Sequence, residues 1–335
     1  MRLAAQCLAP ETAAPDVVAA ASAVLGIQAQ DVRAAGLALR SRVPGIERAE
    51  IDADRGLVRT WTVRGTVHLI AADDLPWIHA VTGPRNARRF EGLIAKRGNL
   101  EVAETLLPAA VEQLEEAGPL SRAELIRRLA ERGLPSLGEF SVNVFVPWLA
   151  ALGLVVGLAD GRFTTAEPPP AVDEDEALAI LGRRYLAGYG PAGAPDLARW
   201  SGLPLGTARR ALGAAGELEP AGDDLLALPS ALDRNPPPAP AALLLAAFDT
   251  SMLGWRSREP LLAARHDARI LPGGGMLRPV VLARGAATGT WRLGGSGRSR
   301  RVEVEWFGRR AAAGALATEA QDVARFLGLD LGLAA

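Results

Sequence analysis

The polar sequence Gln28-Ala29-Gln30-Asp31 interrupts an aliphatic stretch just after Leu25-Gly26-Ile27, where one helical pattern gives way to another. Two primary amides flanking a small residue in such a setting need hydrogen-bond partners or a bound water to justify burial. They can equally cap helix ends in a turn, a role such residues routinely fill. Further along, Arg59-Thr-Trp-Thr-Val-Arg-Gly-Thr-Val-His-Leu-Ile70 alternates as a strand does. Arg59, Trp61, Val63, Gly65, Val67 and Leu69 share one parity, and Thr60, Thr62, Arg64, Thr66 and His68 share the other. A polar row ending in an imidazole can line a cleft, or it can be a solvated strand face.

Other chemistries are poorly supported. Cys7 is the only cysteine, which excludes an internal disulfide and a thiolate cluster. His68, His79 and His266 lack ligand spacing, so neither a metal nor a cofactor is expected. His68 with Asp73 or Asp74 could form a hydrolase base pair, but no nucleophile elbow, phosphate loop or paired metal-ligand motif accompanies them.

The elements that must hold these residues belong to a chain of 335 residues, 49% hydrophobic, long enough for two or three packed subdomains. A net charge of -1 argues against a nucleic-acid binder, because duplex DNA is held largely by neutralising phosphates. Distribution qualifies that. Lys96 is the sole lysine, so the remaining basic residues are arginines, whose planar fork suits phosphate; a GC-rich coding sequence would also produce this bias. Acidic residues gather at 112–116 and 173–176, leaving other faces positive. No run of about 18 apolar residues occurs, and the N-terminus has no secretion-signal pattern, so a cytoplasmic protein is expected.

The pattern of helices followed by a two-stranded wing repeats three times. In the first unit, 1–115, helical spacing at Val17 to Leu25 is followed by a helix capped by Asp31 and a hairpin around Gly65. The second, 116–168, has a capping box at Ser121 and Glu124, a helix over 139–152 and a hairpin at Asp160-Gly161. The third, 171–235, offers helices over 174–187 and 196–201, then a candidate recognition helix over 204–213 bearing Arg209 and Arg210. From 240 to 335 the signal turns to strands, at 243–248, 269–271, 280–283, 288–293 and 302–306, with a terminal helix over 319–327. The fold class expected is mixed α/β (α+β), dominated by helices.

Leu25-Gly-Ile-Gln-Ala-Gln-Asp31, the strand Thr60 to His68, Ile270-Leu-Pro-Gly-Gly-Gly-Met-Leu-Arg-Pro279, Gly285 and Gly289-Thr-Trp-Arg292 together resemble winged-helix DNA glycosylases of the AlkZ/YcaQ-like superfamily. The resemblance extends over nearly the whole chain. It implies three tandem winged-helix motifs in a C-shaped clamp around double-stranded DNA carrying alkylated bases, plus a β-rich C-terminal part. It further implies that Gln28 and Gln30 are the catalytic Gln-x-Gln pair, with Ala29 smaller than the aliphatic residue usual between them. The residues it turns toward DNA are Arg59, Trp61, Arg64, Thr66, His68, Arg209, Arg210, Arg284 and Arg292. Glutamine is a weak proton acceptor, so the implied substrate is a purine already made cationic by N7 alkylation, including bulky natural-product adducts. Amide dipoles can position water and stabilise an oxocarbenium-like sugar.

The chief alternative is a non-catalytic winged-helix DNA binder such as a regulator, since fold alone does not fix function. Regulators of this kind usually bind as symmetric dimers, whereas three units in one chain supply a clamp as a monomer. With a single lysine for Schiff-base chemistry, a monofunctional enzyme that hydrolyses the glycosidic bond is expected.

Overall fold

In a computed structural model describing residues 1–232, 235–259, 261–296 and 299–333, the first stretch holds α1 (Arg2–Ala5), α2 (Val17–Ala23), β1 (Ile27–Gln28), α3 (Val32–Arg40), α4 (Arg48–Ala53), β2 (Leu57–Trp61) and β3 (Val67–Ala71). Two long helices follow, α5 (Leu75–Ala95) and α6 (Leu100–Ala117). Then come α7 (Arg122–Glu131), α8 (Glu139–Ala151), β4 (Val155–Gly157) and β5 (Phe163–Thr165). The next stretch is α9 (Glu174–Tyr189), α10 (Ala194–Ser201), α11 (Leu205–Gly213), β6 (Glu219–Pro220), β7 (Leu226–Ala227) and α12 (Pro229–Leu232). The chain ends with β8 (Leu243–Leu245), α13 (Asp267–Ile270), β9 (Val280–Ala283), β10 (Ala286–Ser296), β11 (Ser299–Trp306), α14 (Ala313–Leu327) and β12 (Asp330–Leu333). Helices dominate a mixed α and β architecture, as composition and periodicity led us to expect.

Local chemistry explains where the elements start. Asp31 accepts from the amides of Arg33 and Ala34 at 2.8 and 3.0 Å, fixing the start of α3 directly after the glutamine pair. Ser121 and Glu124 form the reciprocal capping box at α7, and Asp173 caps α9 through Asp175 and Glu176. Each such cap is worth about 1 kcal/mol.

One run departs from the sequence reading. The run 269–271, expected as a strand, is instead the end of the one-turn helix α13, closed by the Leu271 amide donating to the Asp267 carbonyl at 2.9 Å. Three residues are too few for periodicity to separate the two states. The strands of the first two stretches form one sheet in the order β1-β3-β2-β4-β5. β4 reaches β2 where Gly157 faces Arg59; a Cβ there would lie 2.9 Å from the Arg59 carbonyl oxygen, so only glycine allows the approach.

The C-terminal strands form a second sheet, β12-β11-β10-β9-β8, antiparallel except for the β11–β12 pair. Ion pairs tie the C-terminal region to the end of α3 and the residues just after it. Arg42, fully buried, donates to both carboxylate oxygens of Asp249 at 2.8 and 2.9 Å, and Arg40 meets Asp322 at 2.8 Å. No helix among the described residues is long and apolar enough to cross a membrane.

Candidate active site

Gln28 is delivered to its place by a strained turn. Leu25 adopts φ +57°, a left-handed conformation that costs a non-glycine residue about 1 kcal/mol or more. Gly26 follows at φ +103°, where a Cβ would lie 2.7 Å from Cγ2 of Ile70, so β1 can lie against β3 only with glycine there. In the resulting register Gln28 faces His68 and His68 faces Thr60, placing three buried polar side chains in one row across β1, β3 and β2. Ala29 points the other way into the core, its amide donating to the Val67 carbonyl at 2.9 Å and its carbonyl accepting from Arg59 Nε at 3.1 Å. Gln30 emerges exposed beside the N-terminus of α3, and its side chain has no hydrogen-bond partner among the described residues.

The β2–β3 connection brings Arg64 to Gln28. Arg64 sits at φ +58° in a short 3-10 turn, and its Nη2 donates to Oε1 of Gln28 at 3.1 Å. Its Nη1 donates to the Trp200 carbonyl at the C-terminus of α10, the end at which the helix dipole favours a cation. Gly202 makes this possible, since a Cβ there would come within 3.1 Å of the Arg64 Cα. Burial lowers the proton affinity of this guanidinium, Tyr189 opposes that effect and Arg199 adds to it. No carboxylate pairs with Arg64 among the described residues, although a guanidinium stays charged in proteins.

His68 is neutral. Its Nδ1 lies 3.0 Å from the Thr66 carbonyl oxygen and 2.9 Å from Thr62 Oγ1; a carbonyl can only accept, so Nδ1 carries the proton and Nε2 the lone pair. Burial, with the charge of Arg64 adding to it, pushes the imidazole down to about 3. Asn86 of α5 donates to the carbonyls of Trp61 and Thr62 at 3.1 and 2.8 Å, pinning the end of β2. Thr66 closes the turn by donating to the Val63 carbonyl at 3.1 Å.

Beside Arg64 opens a cleft of about 490 Å³ between α5, the β2–β3 turn and the end of α10, lined in part by Thr62, Thr82, Arg85, Asn86 and Arg89. Arg85 and Arg89, four apart on α5, share a helix face, and Arg89 Nη1 donates to the Arg64 carbonyl at 2.6 Å. No carboxylate lines this cleft. Sequence reading missed these two residues because Pro84 interrupts the helical pattern of α5. The available signal was the spacing Arg85, Arg88, Arg89 with a single acidic residue, Glu91, close by in sequence.

The remaining residues expected near DNA are dispersed. Arg59 and Trp61 are buried on the opposite face from Gln28: Trp61 stacks on Phe163 at 6.0 Å, and the Arg59 guanidinium lies 5.6 Å over the same ring. Burial first, and Arg122 second, pull Arg59 down to about 10. These placements take both residues out of the surface that Arg64 and His68 share. Arg209 is exposed on α11, whereas Arg210 is held by Glu174 and by Asp175 at 2.5 Å. Arg284 is exposed at φ +48° in the β9–β10 turn, and Arg292 is exposed on β10, paired with Glu303 at 2.7 Å.

The structure groups the Gln28 amide, the Arg64 guanidinium and the neutral His68 imidazole, and no carboxylate among the described residues hydrogen-bonds to any of the three. The chain belongs to the AlkZ-like DNA glycosylase family, whose model, described as DNA glycosylase AlkZ-like, matches residues 21–326. It is accordingly a DNA glycosylase, a hydrolase of N-glycosyl bonds. A curated relative from Streptomyces sahachiroi, described as an interstrand DNA cross-link repair glycosylase, is 28% identical, with 87% of this chain and 86% of the relative covered. The solved structure of the Streptomyces sahachiroi DNA glycosylase AlkZ shares the fold, with a TM-score of 0.76 at 23% identity over 99% of this chain and 97% of that one.

Proposed function

We propose that the protein excises N7-alkylated guanines from double-stranded DNA by hydrolysis, acts as a monomer, and accepts bulky adducts including interstrand crosslinks, the lesion named for its relative. The observation that carries this reading is the lack of a carboxylate base around Gln28, Arg64 and His68 among the described residues. Such a site suits a substrate whose leaving group is already activated. In an N7-alkylguanine, the C1′–N9 bond breaks with its electron pair passing to the cationic imidazolium ring, which leaves neutral. A water oxygen then bonds to C1′ and its proton passes to solvent. Gln28 keeps one carbonyl lone pair free of Arg64 and can hold that water, while exposed Gln30 lies two residues along the same extended segment.

In this reading the successive helix-and-wing stretches act as three winged-helix units forming a clamp, with a β-hairpin entering the minor groove. Incubating the purified protein with a duplex bearing a defined N7-alkylguanine should release the free modified base and leave an abasic site. Failure to release base from small, bulky and crosslinked N7 adducts alike would overturn the substrate assignment.

A further inference from the structure

We propose that the cleft between α5 and the end of α10 seats one backbone phosphodiester beside the scissile nucleotide, and that this phosphate is the counter-ion the enzyme withholds from Arg64. The inference rests on the DNA-excision reading and adds to it a specific electrostatic role for the substrate. Arg64 is the starting point. Its side chain is largely withdrawn from water, yet both of its hydrogen bonds go to neutral oxygens, the Trp200 carbonyl and Gln28 Oε1. Removing a cation from water without a partner is costly, and folded chains ordinarily supply one. This chain does so at Arg42 with Asp249, at Arg40 with Glu319 and Asp322 and at Arg184 with Asp74, while buried Arg59 has the Ala29 carbonyl and the Phe163 ring instead.

Arg85 and Arg89 bring two more guanidiniums to the same cleft, neither ion-paired among the described residues, so that three cationic side chains line it with no carboxylate among them. A volume of about 490 Å³ gives ample room for a sugar–phosphate unit. The other polar groups argue for a phosphate over a base edge: the Asn86 amide already donates to two backbone carbonyls, and the Thr82 and Ser201 hydroxyls donate to Ile78 and Leu197 within their own helices. The donors left over are the guanidiniums and the Thr62 hydroxyl, which accepts from His68 Nδ1 and keeps its own proton free, and these match a phosphate's oxygens.

The consequence concerns rate as well as affinity. Glycosidic cleavage builds positive charge on the sugar, and an uncompensated Arg64 beside Gln28 opposes it. A phosphate in the cleft reverses that field before the bond breaks, so correctly seated DNA completes the active site.

The test uses duplexes carrying a tetrahydrofuran abasic analogue, with each flanking phosphate replaced in turn by an uncharged methylphosphonate. Affinity is measured for the wild type, for Arg85→Ala/Arg89→Ala and for Arg85→Lys/Arg89→Lys, each checked for an unchanged melting temperature. One position is expected at which neutralisation weakens the wild type about tenfold, ~1.4 kcal/mol, and the alanine variant less than about twofold, with the lysine variant between them. Penalties equal in all three proteins at every position would overturn the proposal. In an N7-methylguanine duplex the same methylphosphonate should lower kcat of the wild type. If the wild type releases no base from small, bulky or crosslinked N7 adducts in duplexes with native phosphates, the excision reading falls, while the binding comparison still decides whether the phosphate seat exists.

Discussion

Gln28 on β1 and Arg64 in the turn between β2 and β3 meet in a 3.1 Å hydrogen bond in which the guanidinium donates to the amide oxygen, and the same guanidinium grips the last turn of α10. The orientation of the Gln28 amide is therefore fixed by a helix far away in sequence. Arg64→Ala is expected to lower kcat more than it raises KM, and its effect should not add to that of Gln28→Ala. In a double-mutant cycle a coupling above about 0.5 kcal/mol supports this positioning role, and additivity within error removes it.

Gln28→Ala and Gln30→Ala should each slow base excision at least about tenfold, ~1.4 kcal/mol of barrier, with DNA affinity nearly unchanged. Single-turnover excision alongside equilibrium binding separates the two effects. Wild-type rates in both variants, on a substrate the enzyme accepts, would take catalysis away from the pair.

His68 makes the fold acid-sensitive. Its folded-state value of about 3 lies below the unfolded 6.5, so in that interval the unfolded chain takes up a proton the folded chain refuses. The stabilisation is complete above about pH 6.5 and is lost as pH falls toward 3, at up to ~1.4 kcal/mol per pH unit. Denaturant midpoints measured from about pH 7 to pH 4.5 should decline more steeply for the wild type than for His68→Gln. Parallel declines would place the acid sensitivity elsewhere.

The buried pair of Arg42 and Asp249 joins the N-terminal helices to the C-terminal part, with both side chains fully enclosed. Asp249→Ala leaves that guanidinium unpaired and should cost about 3–5 kcal/mol, read from chemical denaturation. A loss below about 1 kcal/mol would show that water reaches the site and compensates.

Lys96 caps the C-terminal end of α5 and is exposed, seven residues beyond Arg89 and so roughly 10 Å further along the helix axis. Borohydride added during excision should therefore trap no protein–DNA adduct. An adduct that vanishes in Lys96→Ala would replace hydrolysis by Schiff-base chemistry.

The sequence by itself determined the elements whose signals are local. Asp31, Ser121 and Asp173 mark helix starts through side-chain bonds to amides within the next three residues, and Gly65 turns a hairpin that needs no distant partner. The Gln-x-Gln spacing and the polar parity of Thr60 to His68 were readable for the same reason. Which parity faces the site was not readable, because alternation has two sides and only packing chooses between them; the tertiary structure buries Arg59 and Trp61 against Phe163 and leaves Gln28, Arg64 and His68 together. The joining of β2 to β4, the capping of α10 by Arg64 and the cleft lined by Arg85 and Arg89 likewise arise from contacts between residues far apart in the chain. Only the folded chain could decide those, since they depend on which surfaces are buried against one another and which charges are left without a partner.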